Sequence, residues 1–214
     1  MLDVKHYDVS IGRIRIVNGA DLAVAEGEFC GLIGTNGAGK TTFMRGLMGA
    51  LPVAGHASID AHDLIAARPH ERVGLGIGYM PEDRRLVPDL TVEENILLPA
   101  WTARMADASE RLAWIIGFMP EIPDMLARNA ATLSGGQQKM AALARALMAG
   151  RRLLILDEPF EGLAPALVRR LGEVLAGLKR ERVSVLIAES HADRVADLLD
   201  KTFLIERGVI RPPA

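Results

Sequence analysis

Cysteine is almost absent from this chain. The one thiol, Cys30, excludes an intrachain disulfide and a metal cluster built on thiols alone. Aromatic residues are scarce at 4% (2 Trp, 2 Tyr and 5 Phe), so the apolar half of the chain is aliphatic. No long apolar run exists. The longest uncharged stretch, between Arg45 and Asp60, is broken by Pro52, Gly55 and His56, whereas a membrane-spanning helix needs roughly 18 or more apolar residues in a row. The first ten residues have no basic segment leading into an apolar one, so no secretory leader is expected and the cytosol is the default compartment. An excess of positive charge is also missing. The 25 Lys+Arg face 27 Asp+Glu, giving a net charge of −2 and a pI near 6.2. A surface built mainly to grip nucleic acid is usually basic, which weighs against that class. Disorder is excluded by a composition that is 50% hydrophobic with a mean hydropathy of +0.18. The 214 residues suit one domain, with room for a sub-lobe.

What is present is an alternation of short aliphatic runs with helical patterns. Strands are expected at Phe29–Ile33, Ile77–Met80, Leu153–Leu156, Val183–Ala188 and Thr202–Ile205. Several are apolar at every position, the mark of strands buried on both faces, so an α/β fold around a parallel or mixed sheet is indicated. Helices are expected at Gly39–Gly49, Val92–Leu98, Ala108–Phe118, Gly135–Met148, Pro165–Lys179 and Ala192–Leu199. Ser134 is a ready N-cap, and Pro165 suits a first helical turn. The middle of the chain, about 88–148, reads as helical, while 1–87 and 149–214 carry the strands. A helical lobe inserted into an α/β core follows.

Three motifs carry chemistry. Gly34-Thr35-Asn36-Gly37-Ala38-Gly39-Lys40-Thr41 fits G-x-x-x-x-G-K-[ST] between an apolar strand and a helix. Glycines let backbone N–H groups curl around phosphates, and the helix N-terminus adds positive potential. Lys40 would reach β- and γ-phosphate oxygens, and the Thr41 hydroxyl would ligate Mg²⁺. An ordinary glycine-rich turn is the bland alternative, and the agreement of motif with context argues against it. Second, four apolar residues, Leu153 to Leu156, end in Asp157 and Glu158. Ligands of open α/β sheets bind at that strand edge. Asp157 would hold Mg²⁺, and Glu158 would polarise an attacking water as general base. Third, Leu133-Ser134-Gly135-Gly136-Gln137 offers a hydroxyl, exposed backbone N–H groups and a helix N-terminus, which together make a second anion site.

In this order and spacing the three motifs resemble the nucleotide-binding domain of ABC transporters over essentially the whole chain. The resemblance implies a P-loop ATPase fold, with a RecA-like core sheet, an N-terminal antiparallel β part and an inserted helical subdomain. It implies ATP and Mg²⁺ as ligands and a head-to-tail pair of ATPase subunits, identical or different. ATP would be held by Asn36, Gly37, Ala38, Gly39, Lys40, Thr41 and Thr42 of one subunit. Ser134, Gly135, Gly136 and Gln137 of the other would meet its γ-phosphate. The stretches Arg68–Arg72, Gly76–Glu82, Asp89–Asn95 and Glu161–Pro165 are similar to the ATPases of branched-chain amino acid importers. That similarity implies permease subunits as partners, a periplasmic solute-binding protein acting indirectly, and a peripheral position on the cytoplasmic face of the membrane. Glu82 stands where most such domains carry Gln, and would sit near Mg²⁺. Arg84 and Arg85 belong to the loop that faces the permease in that family.

Two positions depart from the family pattern. Where an adenine-stacking aromatic is usual, Ile11 precedes Gly12 and offers apolar contact only. Where a switch His is usual, the register gives Ser190, with His191 one residue late. Ser190 also reads as an N-cap with Asp193 three residues on. Cys30 and the methionines Met44, Met48, Met140 and Met148 read as packing. The expected function is ATP hydrolysis that powers an importer of branched-chain amino acids or a related small polar solute. The alternatives are a soluble ABC ATPase acting on nucleic acid or ribosomes, and a non-hydrolysing ATP-binding partner in a heterodimer.

Overall fold

Alternating side chains in the aliphatic strands build two cores back to back. In the computed structural model, which describes residues 1–212, the chain runs β1 (Leu2–Ile11), β2 (Ile14–Val24), β3 (Phe29–Ile33), α1 (Lys40–Leu47), β4 (Val53–Ile59), β5 (His62–Asp63), α2 (Glu71–Gly74), β6 (Ile77–Met80), α3 (Val92–Ala103), α4 (Ala108–Phe118), α5 (Gly135–Ala149), β7 (Leu153–Asp157), α6 (Pro165–Arg180), β8 (Ser184–Glu189), β9 (Lys201–Glu206) and β10 (Val209–Arg211). Six strands form one sheet in the order β10-β9-β3-β8-β7-β6, parallel from β9 to β6 with β10 antiparallel at the edge. Leu154 and Leu156 of β7, with Val185 and Ile187 of β8, face a core shared with α3, α5 and α6. Their neighbours Leu153, Ile155, Leu186 and Ala188 face a second core shared with Phe43, Met44 and Leu47 of α1. Each buried Leu, Ile or Val among them contributes about 1.5–3 kcal/mol.

The second core is closed by a four-stranded antiparallel sheet, ordered β2-β1-β4-β5. Here the pattern is two-sided. Ala20, Leu22 and Val24 of β2 are buried, while Asp21 and Ala23 face solvent. The sheet thus covers one core face and wets the other.

Helices α3, α4 and α5 lie between β6 and β7 in the chain and pack on the first core. Helix α3 starts with a capping box between Thr91 and Glu94 and runs through Pro99, with Ile96 and Ala100 buried on its inner face. Helix α5 passes so close to β6 that a Cβ on Gly78 would strike the carbonyl oxygen of Ala146. Gly78→Ala is therefore expected to lower the unfolding free energy by about 1–3 kcal/mol, read from the midpoint and slope of urea denaturation. An unchanged midpoint would mean that strand and helix separate without cost.

One expected helix is absent. Ala192–Leu199 forms two 3₁₀ turns, Ala192–Arg194 and Ala196–Leu198. Between them Val195 leaves the helical region at φ −127° and is drawn into the first core with only 1% exposure. A segment this short cannot meet the cost of helix nucleation by itself, so the tertiary contact of Val195 decides its shape.

Candidate active site

The C-terminal edge of the parallel strands gathers a buried lysine and three buried acids. Residues Gly34 to Gly39 turn from β3 into α1. Gly37 and Gly39 adopt φ values of 79° and 113°, a left-handed region that side chains with a Cβ rarely enter. Lys40 opens α1 and is 5% exposed. Its Nζ donates to the carbonyls of Gly34 at 2.6 Å and Thr35 at 3.1 Å, and to Ser190 Oγ at 2.9 Å. It also pairs with Glu158 Oε1 at 3.0 Å.

The acids come from the ends of β7 and β8, the next two strands of the sheet beyond β3. Asp157 ends β7 and accepts from Thr41 Oγ1 at 3.1 Å and from the Tyr79 hydroxyl at 3.2 Å. Glu158 follows with a left-handed φ of 48°. Ser190, just past β8, donates from its hydroxyl to Glu158 Oε1 at 2.6 Å and from its N–H to Oε2 at 3.2 Å. Asn36 Oδ1 also lies 2.6 Å from Ser190 Oγ. Because this hydroxyl is engaged with the site, Ser190 does not cap the following turn. His191 holds the N-cap position there, without a side-chain cap, and is exposed.

Lys40, Thr41, Asn36 and Glu158 border a cleft of about 350 Å³ lined also by Ile16, Gly37, Gly39, Thr42, Glu82 and Glu161, while Asp157 borders an adjoining cleft with Thr41, Tyr79 and Glu82. Ala38 lies buried in the loop. Ile11 is 47% exposed at the β1–β2 turn and does not border the cleft, which takes its apolar side from Ile16. The motif Ser134–Gln137 stands apart. Ser134 and Gln137 form a capping box at the start of α5, with bonds of 3.3 and 3.1 Å. Gly135 borders a second cleft with Arg84, Lys139, Glu82 and Glu161. The guanidinium of Arg84 donates to Gly135 O and Gln138 Oε1, both at 3.2 Å.

Burial sets the electrostatics. It pushes the Asp157 carboxyl up to about 6 against the hydrogen bonds from Thr41 and Tyr79. It also pushes Glu189, at the end of β8, up to about 7, with the Phe160 N–H opposing and the negative Glu158 adding. At Glu158 burial works in the same direction, but the bonds from Ser190 and Lys40 outweigh it and hold the carboxyl below its ordinary range. Adjacent acids are thereby driven apart in acidity, a pattern of sites that move protons.

Five residues here escaped the sequence reading: Ile16, Tyr79, Lys139, Glu161 and Glu189. Glu189 carried a usable signal, since it is an acid ending an apolar strand, as Asp157 is. Tyr79 and Lys139 sit within a strand and a helix whose periodicity says nothing about their partners.

A glycine-rich loop between a parallel strand and a helix, with acids on adjoining strand ends, defines a P-loop nucleoside-triphosphate-binding protein. The comparisons give the family. The model described as ABC transporter matches residues 17–161. The high-affinity branched-chain amino acid transport ATP-binding protein BraG of Pseudomonas aeruginosa is 34% identical, covering 98% of this chain and 91% of its own length. The probable branched-chain amino acid transport ATP-binding protein LivF of Archaeoglobus fulgidus is 28% identical, covering 97% and 89%. Among solved structures, the ADP conformation of MJ1267, an ATP-binding cassette of an ABC transporter, superposes with a TM-score of 0.83 at 26% identity, covering 99% of this chain and 89% of that one. The chain belongs to the ABC transporter family and has the fold of its ATP-binding cassettes.

Proposed function

We propose that this chain hydrolyses ATP at the cleft and thereby drives a membrane importer of branched-chain amino acids or a related small polar solute. The observation that carries the catalytic reading is the joined cluster of Thr41 with Asp157 and of Lys40 with Glu158 and Ser190, beside the glycine-rich loop. The solute class rests on the similarity to BraG and LivF, which are named as branched-chain amino acid transport ATP-binding proteins.

The loop Asn36–Thr42 cradles the triphosphate, and the Lys40 ammonium turns from its carbonyl partners to the β- and γ-phosphate oxygens. Thr41 and Asp157 fit a small hard cation, because they present two oxygens 3.1 Å apart. Among the described residues no group of three or more His, Cys, Asp or Glu could hold a metal unaided. Mg²⁺ suits such a sparse set, since it takes one or two protein oxygens and completes its shell with phosphates and water. When bound, it neutralises phosphate charge, and Glu82 faces the same space. Glu158 accepts the proton of the water that attacks the γ-phosphorus, giving ADP and phosphate. Ser190 orients Glu158, with His191 as the alternative group at this switch position.

The signature Ser134, Gly135, Gly136 and Gln137 serves the γ-phosphate of a second ATPase subunit. The loop from Glu82 to Arg85 faces the permease subunits, and the solute-binding protein acts through them. We divide the domain into a core (1–87 and 149–214) and a helical lobe (about 88–148). No helix among the described residues is long and apolar enough to cross a membrane, and we assign the chain to the cytoplasmic face, docked on its permease.

The test is co-purification with the permease subunits and reconstitution in vesicles. Phosphate release is expected to rise when leucine-loaded binding protein is added, and not with the unloaded form. Stimulation only by a sugar-loaded binding protein would replace the solute assignment.

A further inference from the structure

We propose that Lys139 is a positioning residue, which ties the helix that begins at the signature to the backbone turn that carries Glu158. Lys139 lies in the second turn of α5 and is 5% exposed. Its Nζ donates to the carbonyl of Glu158 at 2.8 Å and to that of Glu161 at 2.6 Å. The turn between those carbonyls needs holding. Glu158 sits at a left-handed φ of 48°, a conformation that costs a residue with a Cβ unless its surroundings enforce it. The turn is closed weakly from within, by Glu161 N–H to Glu158 O at 3.2 Å. From the far side, the Glu189 carboxylate takes the Phe160 N–H at 3.0 Å. Lys139 is the hold from the helix side.

The choice of residue is informative. The neighbours of Lys139 along α5, Met140 to Ala144, are buried and apolar. A methionine would fill the same slot without the cost of desolvating an ammonium. Burial holds the ammonium below its ordinary range, the acids Glu189, Glu161 and Glu158 oppose that shift, and the like charge of Arg84 adds to it. What Lys139 supplies and an apolar side chain cannot is the pair of bonds to the turn.

The consequence is mechanical. Ser134 and Gly135 stand little more than one helical turn before Lys139, so a displacement of the start of α5 reaches the backbone of Glu158 through one side chain. Resting on the ATPase reading above, this links a phosphate bound at the signature by a neighbouring subunit to the carboxylate that activates water in this one. The device needs no motion of the sheet.

The test uses the full chain with Lys139→Met and Lys139→Gln. Amide hydrogen exchange of the segment Glu158–Leu163, without nucleotide, is expected to accelerate about tenfold or more in Lys139→Met. The same variant should keep the KM for MgATP within about threefold while kcat falls about 10- to 100-fold. The glutamine amide retains donors, and Lys139→Gln should recover most of both losses. Exchange and kcat both unchanged in Lys139→Met would overturn the proposal. So would accelerated exchange across the whole chain with a parallel loss of MgATP affinity, which marks general destabilisation. If the wild-type chain with its partners shows no turnover, the ATPase reading fails, and the exchange measurement still decides whether Lys139 holds the turn.

Discussion

Glu158→Gln is expected to cut ATP turnover by about 10²- to 10⁴-fold, the usual share of a general base, while MgATP binding stays intact. The glutamine has the same shape, and its carbonyl oxygen keeps the bond from the Ser190 hydroxyl, while its NH2 faces the Ser190 N–H in place of Oε2. What is lost is basicity. The carboxylate is held ionised because burial is outweighed by Ser190 and Lys40, and an amide cannot take the proton from water. Phosphate release and the fluorescence of a labelled ATP analogue separate the two effects. ATP-dependent dimerisation, followed by light scattering, should persist and outlast that of the wild type. Turnover within a few-fold of wild type would remove Glu158 from the role of base and move attention to Glu189, which is buried against it.

Lys40→Met has the second large effect, and it acts at two levels. MgATP affinity is expected to fall about 10- to 100-fold, since each hydrogen bond to a charged partner is worth about 1.5–3 kcal/mol. The nucleotide-free chain should also lose about 3 kcal/mol of stability. Lys40 and Glu158 are paired at 3.0 Å with side chains 5% exposed, and removing one member strands the other charge away from water. Ser190 remains beside Glu158 and keeps the loss at the lower end of the about 3–5 kcal/mol usual for breaking a buried pair. Isothermal titration reads the first effect and urea denaturation the second. A variant that binds MgATP as tightly as wild type would contradict the placement of the triphosphate in the cleft. In Lys40→Met/Glu158→Gln the stability loss should largely disappear, because no unpaired charge remains.

The contrast between these residues and Lys139 shows what a one-dimensional reading reaches. Lys40 and Thr41 were legible because a strand, a glycine-rich turn and a helix start are contiguous, and their chemistry follows from eight consecutive residues. Asp157 and Glu158 were legible because an apolar run ending in acids points to a strand edge. Lys139 was not, since one lysine among apolar helix positions has the same local signature whether it reaches solvent or a backbone turn. Ser190 was half legible. Its register marked it as a site candidate, yet its local sequence also suited a helix cap, and only the approach of Glu158, Lys40 and Asn36 decides between the two uses.

The scarcity of aromatics sharpens in the same way. The cleft meets the apolar side chain of Ile16, whereas Ile11 lies out on the hairpin turn. Strand alternation and the turn between β1 and β2 place those two residues, and sequence distance from the glycine-rich loop does not.

By itself the sequence determined most of the elements that carry the site, with Ala192–Leu199 the exception. Aliphatic runs of four to six residues became strands buried on both faces, amphipathic stretches became helices, and the glycines at 37 and 39 allowed a loop that no other residue type would form without strain. These outcomes depend on periodicity and backbone freedom within a few residues, which any window of the chain displays. Tertiary structure alone decided that β8 lies between β3 and β7, and so that Ser190 meets Lys40 across 150 positions of chain and Thr41 meets Asp157 across 116. Strand order in a parallel sheet is set by crossovers that bury helices on both faces. Those crossovers are chosen by the fit of the whole core, and no local pattern carries them.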